Sequence, residues 1–344
     1  MAGSGPEPVA EAIVVAEAYI NSKNYERARD VLRGVLAEHP SDPTLLAHNA
    51  RAEYLIGNHN EAALSAYAAL SAAPLDELAM RIYALSLDGQ GRGQEALWMA
   101  WRTVTTHPNE VLSHRLYARV LQKAHRPRDA LIEVDEAMRL GPADVDTLVL
   151  RGSILHDLGR LPESSAAYEQ ALALDPRSAE ALNNLAVNRL RGGKFGHALR
   201  GFLGAAGSDP TLGNLFRRNI GAVVTRMLRI VTPVAVGLSV FVAFVGSAHS
   251  DGHSTVVPRV LTGIVTAVLV GILVWLFRSI PRRVLVSVLR DRLYVGARLV
   301  HALLAVVLGV VVVAFGGSAW TIVAGVLLAV VGLFLVRYGL AFGL

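Results

Sequence analysis

The sequence predicts an all-α protein: a helical solenoid of six repeats, followed by a bundle of four transmembrane helices. Three observations predict it. A period of 34 residues runs from Val9 to Pro210. Long apolar runs fill the chain beyond residue 230. Charge changes sign between the two parts, with 21 Lys+Arg against 26 Asp+Glu up to residue 210 and 12 against 2 beyond it.

The period is carried by columns. Prolines stand at 40, 74, 108, 142, 176 and 210. Twelve residues before each stands Ala28, Ala62, Ala96, Ala130, Ser164 or Ala198, and twelve before those Ala16, Ala50, Ala84, Ala118, Gly152 or Ala186. Five residues before the prolines stand Val35, Ala69, Thr103, Ala137, Ala171 and Ala205. Small residues recur where two helix axes approach to about 8–10 Å and leave no room for more. A fixed period of this length marks units that bury their apolar faces only against neighbours. Each unit reads as two antiparallel helices: in the second, Leu45 to Ile56, a turn at Gly57 and Asn58, then Glu61 to Ala72, ended by Pro74. Gly57, Gly91, Gly159 and Gly193 mark the same turn. Tyr19, Leu32, Leu121, Val134, Leu155, Tyr168, Leu185 and Phe202 fill the layers beside the small columns.

This repeat resembles the tetratricopeptide repeat (TPR) family, whose unit has the same length, over about 60% of the chain. Two positions depart from it: Ala12 and His114 stand where a large residue is usual near the start of the first helix. The resemblance implies protein–protein binding in a groove lined by the first helix of each unit.

Taken in order, residues 1–8 are expected to be a disordered Gly/Ser/Pro tail, and 9–210 the six repeats. Residues 211–229 form an amphipathic helix, apolar at Leu212, Leu215, Phe216, Ile220, Val223, Val224, Met227 and Leu228, suited to cap the last repeat. Residues 230–344 form the membrane domain, with spans near 230–248, 260–277, 299–315 and 319–336. Each run approaches the ~20 residues needed to cross a hydrocarbon core. Gly316, Gly317 and Ser318 divide the last two, and no charged residue lies inside any run so bounded. Transport, which needs such groups along its path, is disfavoured.

Arginine sets the orientation. Arg217, Arg218, Arg226 and Arg229 precede the first span, Arg278, Arg282, Arg283, Arg290, Arg292 and Arg298 lie between the second and third, and Arg337 follows the fourth. The opposite loops hold only Arg259. Both termini and the solenoid are expected in the cytoplasm of a bacterium, anchored in its inner membrane. Scarce lysine and abundant Ala, Val, Leu and Gly fit a high-GC genome. The first eight residues do not read as a signal peptide.

Basic charge concentrated among apolar runs points to a membrane and not to nucleic acid. The absence of cysteine excludes disulfides, thiolate metal sites and cysteine nucleophiles. The chain carries no phosphate-binding glycine loop, nucleophile elbow or zincin helix. No catalytic residue, cofactor or metal is expected; His249, Asp251 and His253 alternate in an outward loop without the spacing of a built site.

Groove positions implied by the resemblance are Arg51, Arg81, Arg115, Arg119 and Lys123. The last three are four residues apart, so like charges share a face at a cost of a few tenths of a kcal/mol per pair. Two readings stand: a surface for an anionic partner, such as an acidic peptide or a C-terminal carboxylate, or a solvated face balanced by Asp88, Asp146 and Asp157. The Lys/Asn carboxylate clamp of chaperone-binding relatives has no equivalent set here. Small residues at four-residue spacing, Ala235, Ser239 and Ala243 in the first span and Gly263, Ala267 and Gly271 in the second, are expected to pack membrane helices. The same spacing recurs in Ala305/Gly309 and Gly325/Ala329. Arg282, Arg283, Arg290 and Arg292 lie on an amphipathic loop that either meets anionic lipid headgroups or only fixes topology. Trp275 and Trp320 read as interfacial anchors; Trp98 and Trp101 read as packing. The expected function is a non-enzymatic membrane-anchored scaffold. The alternative is a self-associating membrane assembly or pore regulated by the repeats.

Overall fold

The computed structural model describes residues 6–208 and 213–341, and every regular element among them is an α-helix. Expectations placed on residues 1–5, Pro210, Thr211 and Leu212 lie outside the described residues. The chain divides into two compact units, Met1–Pro176 and Arg177–Leu344.

The first unit holds α1 (Pro6–Asn21), α2 (Tyr25–Leu36), α3 (Pro43–Ile56), α4 (His59–Ala72), α5 (Glu77–Gly89), α6 (Gly93–Thr106), α7 (Val111–Lys123), α8 (Pro127–Leu140), α9 (Val145–Asp157) and α10 (Leu161–Leu174). They form antiparallel pairs. The first helices of successive pairs, α1, α3, α5, α7 and α9, also pack on one another and make the inner layer. The first two small columns are fully buried, from Ala16 and Ala28 through Ala118 and Ala130. Gly152 takes the place of alanine because a Cβ there would stand 2.5 Å from the Tyr168 ring. The helix of the first pair begins at Pro6, ahead of the start expected at residue 9.

Two further columns keep the period. Asp42, Asp76 and Asp144 accept from the backbone N–H three residues on, at 2.9, 2.7 and 3.1 Å, and cap α3, α5 and α9. Glu110, at the same position before α7, makes no such bond. The turn between paired helices has positive φ throughout: Gly57, Gly91 and Gly159, but also Lys23 at 59° and His125 at 58°. A side chain in this left-handed region costs about 1–2 kcal/mol. His125→Gly is therefore expected to stabilise the first unit by roughly 1 kcal/mol, and Gly91→Ala to destabilise it by a similar amount. Urea denaturation followed by circular dichroism reads both.

The second unit holds α11 (Ala179–Arg191), α12 (Phe195–Ser208), α13 (Gly213–Ser250), α14 (Val256–Ser279), α15 (Arg282–Asp291), α16 (Leu293–Phe315) and α17 (Ala319–Ala341). One apolar core runs from Leu190, Leu199 and Phe202 through Ile220, Val224 and Leu228 to Leu269, Leu299 and Val312. The amphipathic segment and the first apolar run are one helix, α13. Its first turns pack on α11 and α12, where Asn219 donates to Asn183 at 2.7 Å and Arg226 to the Leu190 carbonyl at 3.2 Å. Four stretches are long and apolar enough to cross a membrane: Leu215–Ser250, Val256–Ser279, Leu293–Phe315 and Ala319–Gly339.

The two small-residue stripes have different fates. Ala235 and Ser239 are buried, and α13 lies so close to α17 that a Cβ on Gly325 would stand 2.7 Å from the Ser239 carbonyl oxygen. On α14 the buried side is instead Thr262, Thr266, Leu269 and Leu273. Gly263 is half-buried, and a Cβ there would meet the Val313 side chain at 3.6 Å; Ala267 is exposed, and a Cβ on Gly271 would meet nothing within 4 Å. Ala267 and Gly271 thus face away from the other helices of this bundle.

The third membrane-length helix corrects the uncharged boundaries read from the sequence. It starts at Leu293, so Arg298 lies in its second turn, 2% exposed, and is not in a loop. Its Nη2 donates to Tyr294 Oη at 2.7 Å and to the Leu335 carbonyl at 3.3 Å, and the guanidinium lies 4.6 Å from the Tyr294 ring centroid. His301, one turn on, meets the Leu328 carbonyl through Nε2 at 2.9 Å. Both bonds tie α16 to α17. Arg259, the one arginine at the opposite loops, is spent on the C-terminal end of α16, donating to the Val313 carbonyl at 2.5 Å.

Candidate binding groove

Three of the five predicted groove residues come together. Arg81 on α5 with Arg115 and Arg119 on α7 line one hollow of about 60 Å³ whose floor is Leu85, Leu112 and Leu116. Small first-helix residues, buried between the layers, let α5 and α7 approach closely enough to share it. Arg51 stands apart on α3. Lys123 lines a wider depression of about 510 Å³ with Gln122, His125, Pro127 and Asp157.

Most of the positive charge is balanced within the chain. Arg51 bonds Glu17 at 2.6 Å, Arg81 bonds Glu77 at 2.9 Å, and Arg115 bonds Asp144 at 2.7 Å and lies 3.3 Å from Asp146. Lys123 pairs with Asp88. Asp157 is taken by Gln122. Arg119 is exposed and has no ion pair among the described residues. Burial alone would push the Asp144 carboxyl up. Hydrogen bonds from Thr147 and the adjacent Arg115 guanidinium outweigh it and hold the group below the usual carboxylate range.

Sequence reasoning missed the leucine floor and the acidic partners Glu17, Glu77 and Asp144. A signal for the partners exists: Glu17 and Arg51 are one period apart, and Asp88 and Lys123 one period plus one. In stacked repeats such residues are neighbours on adjacent helices.

His114 has a structural task. Its Nδ1 lies 2.8 Å from Glu133 Oε2 and its Nε2 2.9 Å from the Pro108 carbonyl, which ties α7 to α8 and to the preceding turn. His48 is different. It is half-buried beside Glu17, whose Oε1 lies 3.0 Å from its Nδ1. Burial pushes its pKa below the ordinary value, outweighing the pull of Glu17. A folded-state pKa below the unfolded one means that the unfolded chain binds the proton more tightly. Stability from this site is thus complete above about pH 6.5 and is lost as pH falls through that value toward the lower native one. Thermal melts of the wild type and His48→Gln between pH 5 and 8 are expected to show a shallower acid-side decline in the variant.

Trp98 and Trp101 are not packing residues: they are 55% and 49% exposed on α6. Along α15, Leu285 and Val288 are buried while Arg282, Arg283 and Arg290 face outward without partners among the described residues. Arg292 turns back to Thr225 on α13 at 3.3 Å. Among the described residues no three metal-ligating side chains cluster.

Sequence models of the tetratricopeptide repeat match residues 15–77 and 152–188. No curated protein matches the chain. Solved structures with similar helices include PilF of Pseudomonas aeruginosa, at 17% identity over 59% of this chain and 93% of that one, TM-score 0.48. Another is YrrB, described as a TPR protein with an unusual peptide-binding site, at 19% identity over 52% and 92%, TM-score 0.39. Yeast Tom70 aligns at 16% identity over 58% of this chain and 44% of that one, TM-score 0.49.

Proposed function

Because this chain belongs to the tetratricopeptide-repeat family, whose fold is a scaffold for protein interactions, we propose that it is a membrane-anchored adaptor. Its ligand is a peptide segment of a protein partner, seated across α5 and α7, with an aliphatic side chain on Leu85, Leu112 and Leu116 and a carboxylate on Arg119. The observation that carries this reading is the hollow lined by three guanidinium groups over a leucine floor. Of the three, Arg119 alone lacks an acidic partner among the described residues, so its charge is open to a ligand. The balanced neighbours Arg81 and Arg115 orient the peptide without attracting anions indiscriminately.

The four apolar helices serve as the anchor, and the arginine distribution supports a cytoplasmic location for both termini and the repeats of an inner-membrane protein. The outward guanidinium groups of α15 suit the headgroups of anionic lipid on that side.

A photo-crosslinking residue at position 123, one turn from Arg119 on the exposed side of α7, in the full-length protein expressed in cells, tests the reading. A discrete adduct with one protein is expected, and it should disappear when Arg119→Glu reverses the charge offered to the ligand. Only self-adducts, or a smear unaffected by Arg119→Glu, would sink the adaptor. Accessibility of an introduced cysteine on α4 to a membrane-impermeant reagent tests the orientation: labelling in intact cells would reverse it.

A further inference from the structure

The side of the first unit opposite the groove is apolar where it has no reason to be. On the outer faces of α4, α6 and α8, Leu64, Trp98 and Ile132 occupy the same position of successive repeats and are 71%, 55% and 68% exposed. One turn on, Tyr67 and Trp101 extend the ridge at 61% and 49% exposure. The ridge stops at both ends: the corresponding residues are Asp30 in the first repeat and Ala166 in the fifth. Five large side chains so placed present on the order of 600 Å² of mostly apolar surface. That is at the upper limit for a monomer's largest patch, and most of the ~800 Å² that one side of a standard interface buries.

The rim argues against a lipid surface. Arg92 and Glu95 pair at 2.5 Å, Arg126 and Asp129 at 2.7 Å, and Glu136 and Arg139 at 2.6 Å, so the ridge is framed by pairs with no net charge. An apolar aromatic centre in a neutral polar frame is the anatomy of a protein interface. Three charges are left over: Arg102 on α6, whose guanidinium lies over the Trp98 ring at 5.7 Å from its centroid, and two at the rim. Glu61 on α4 and Arg128 on α8 are exposed and have no ion pair among the described residues. They are opposite in sign, lie at the same end of their helices, and stand on opposite sides of α6.

We infer that a second copy of this chain docks on the outer face of α4, α6 and α8, related by a two-fold axis running along α6. That axis lays α4 of one copy over α8 of the other with their N-termini at the same end. It stacks the tryptophans of the two α6 helices at the centre, sets Leu64 against Ile132, and brings Glu61 of each copy beside Arg128 of the other. The match of the leftover charges is what selects a second copy over an unrelated partner, because a two-fold interface must be complementary to itself. The groove lies on the other face, so a dimer of this kind offers two outward grooves.

The test uses the full-length protein in mild detergent, with mass measured across a dilution series. A dimer is expected whose dissociation constant rises at least tenfold in the Trp98→Glu/Trp101→Glu variant. Glu61→Arg and Arg128→Glu should each weaken it, and the two together should restore it. Because the chain has no cysteine, register can be read directly. A Leu64→Cys copy mixed with an Ile132→Cys copy should crosslink through a short bis-maleimide, and Leu64→Cys alone should not. A monomer at all concentrations overturns the inference, as does a dimer indifferent to these substitutions, which would place its contact elsewhere, for instance on the outward Ala267/Gly271 stripe. Crosslinks from position 64 to a different protein would overturn it as well.

Discussion

Replacing Arg33 with alanine is expected to cost the first unit about 3 kcal/mol, the low end of the penalty for removing one partner of a buried ion pair. Glu53 on α3 is fully buried, and its two oxygens are met by Arg33 of the preceding α2 at 2.6 Å and by the Asn58 side-chain amide at 2.7 Å. Arg33 itself is 54% exposed, so it reaches in from the surface and little of its own solvation is lost. Deleting it strands a carboxylate in an apolar layer with a single neutral donor. Deleting the carboxylate instead is the milder change: Arg33 then returns to water, and Glu53→Leu combined with Arg33→Met should cost less than Arg33→Ala alone. Urea denaturation of the two variants checks the order. If the double variant proved the less stable, the pair would be acting through packing and not through charge.

This pair also shows what the sequence does and does not disclose. The proline spacing and the small columns are legible because close helix approach admits few residue types, so each position reports its own environment. Glu53 reports nothing by itself. Its meaning depends on Arg33, twenty residues away on a neighbouring helix, and the columns do not pair them. The same holds in part for the groove: Glu17 lies one period from Arg51 and Glu77 one helical turn from Arg81, but Asp144 meets Arg115 across 29 residues, a spacing that no column marks. Lys23 and His125 hid two of the left-handed turns because the backbone position is fixed by the repeat and tolerates a non-glycine at a cost. Trp98 and Trp101 were misjudged for a related reason. Aromatic residues on an amphipathic helix default to its buried side, yet α6 already fills that side with Ala96, Met99, Ala100 and Thr103. Arg298 escaped because hydropathy marks where apolar sequence begins, while α16 starts six residues earlier than the apolar run that revealed it.

On the two proposals above, the two faces of the repeats would do separate work. First helices stack to make the groove, and second helices face outward and carry the ridge. Partner choice would then rest on the groups without an ion pair among the described residues, Arg119 on one side and Glu61 and Arg128 on the other. Substitutions at these positions leave the core untouched, so their effects on binding can be read without a change in folding.

In the second unit the largest effect is expected at Gly325 on α17. A leucine there must displace the α13 backbone: even a Cβ would stand 2.7 Å from the Ser239 carbonyl oxygen and 3.1 Å from the Ala243 Cβ and backbone nitrogen. Backbone cannot swing aside as a side-chain tip can, so the two helices must separate over several turns. Overpacking of this kind costs about 3 kcal/mol, or roughly 10 °C in the thermal midpoint for a unit of this size. Gly237 provides the contrast, since it lies on α13 with nothing within 4 Å of an added Cβ. Gly237→Ala should be neutral or slightly stabilising, as removing a helical glycine usually is, whereas Gly325→Ala should destabilise despite the same gain in helix propensity. Thermal unfolding of the detergent-solubilised protein, followed by tryptophan emission, distinguishes them. Equal responses at the two positions would mean that α13 and α17 are not held at the close approach their small residues permit. The consequence reaches beyond the membrane helices, because α13 is also the helix against which α11 and α12 pack through Ile220, Val223 and Val224. Loosening α17 from α13 should therefore raise amide hydrogen exchange in α12 as well as in α17.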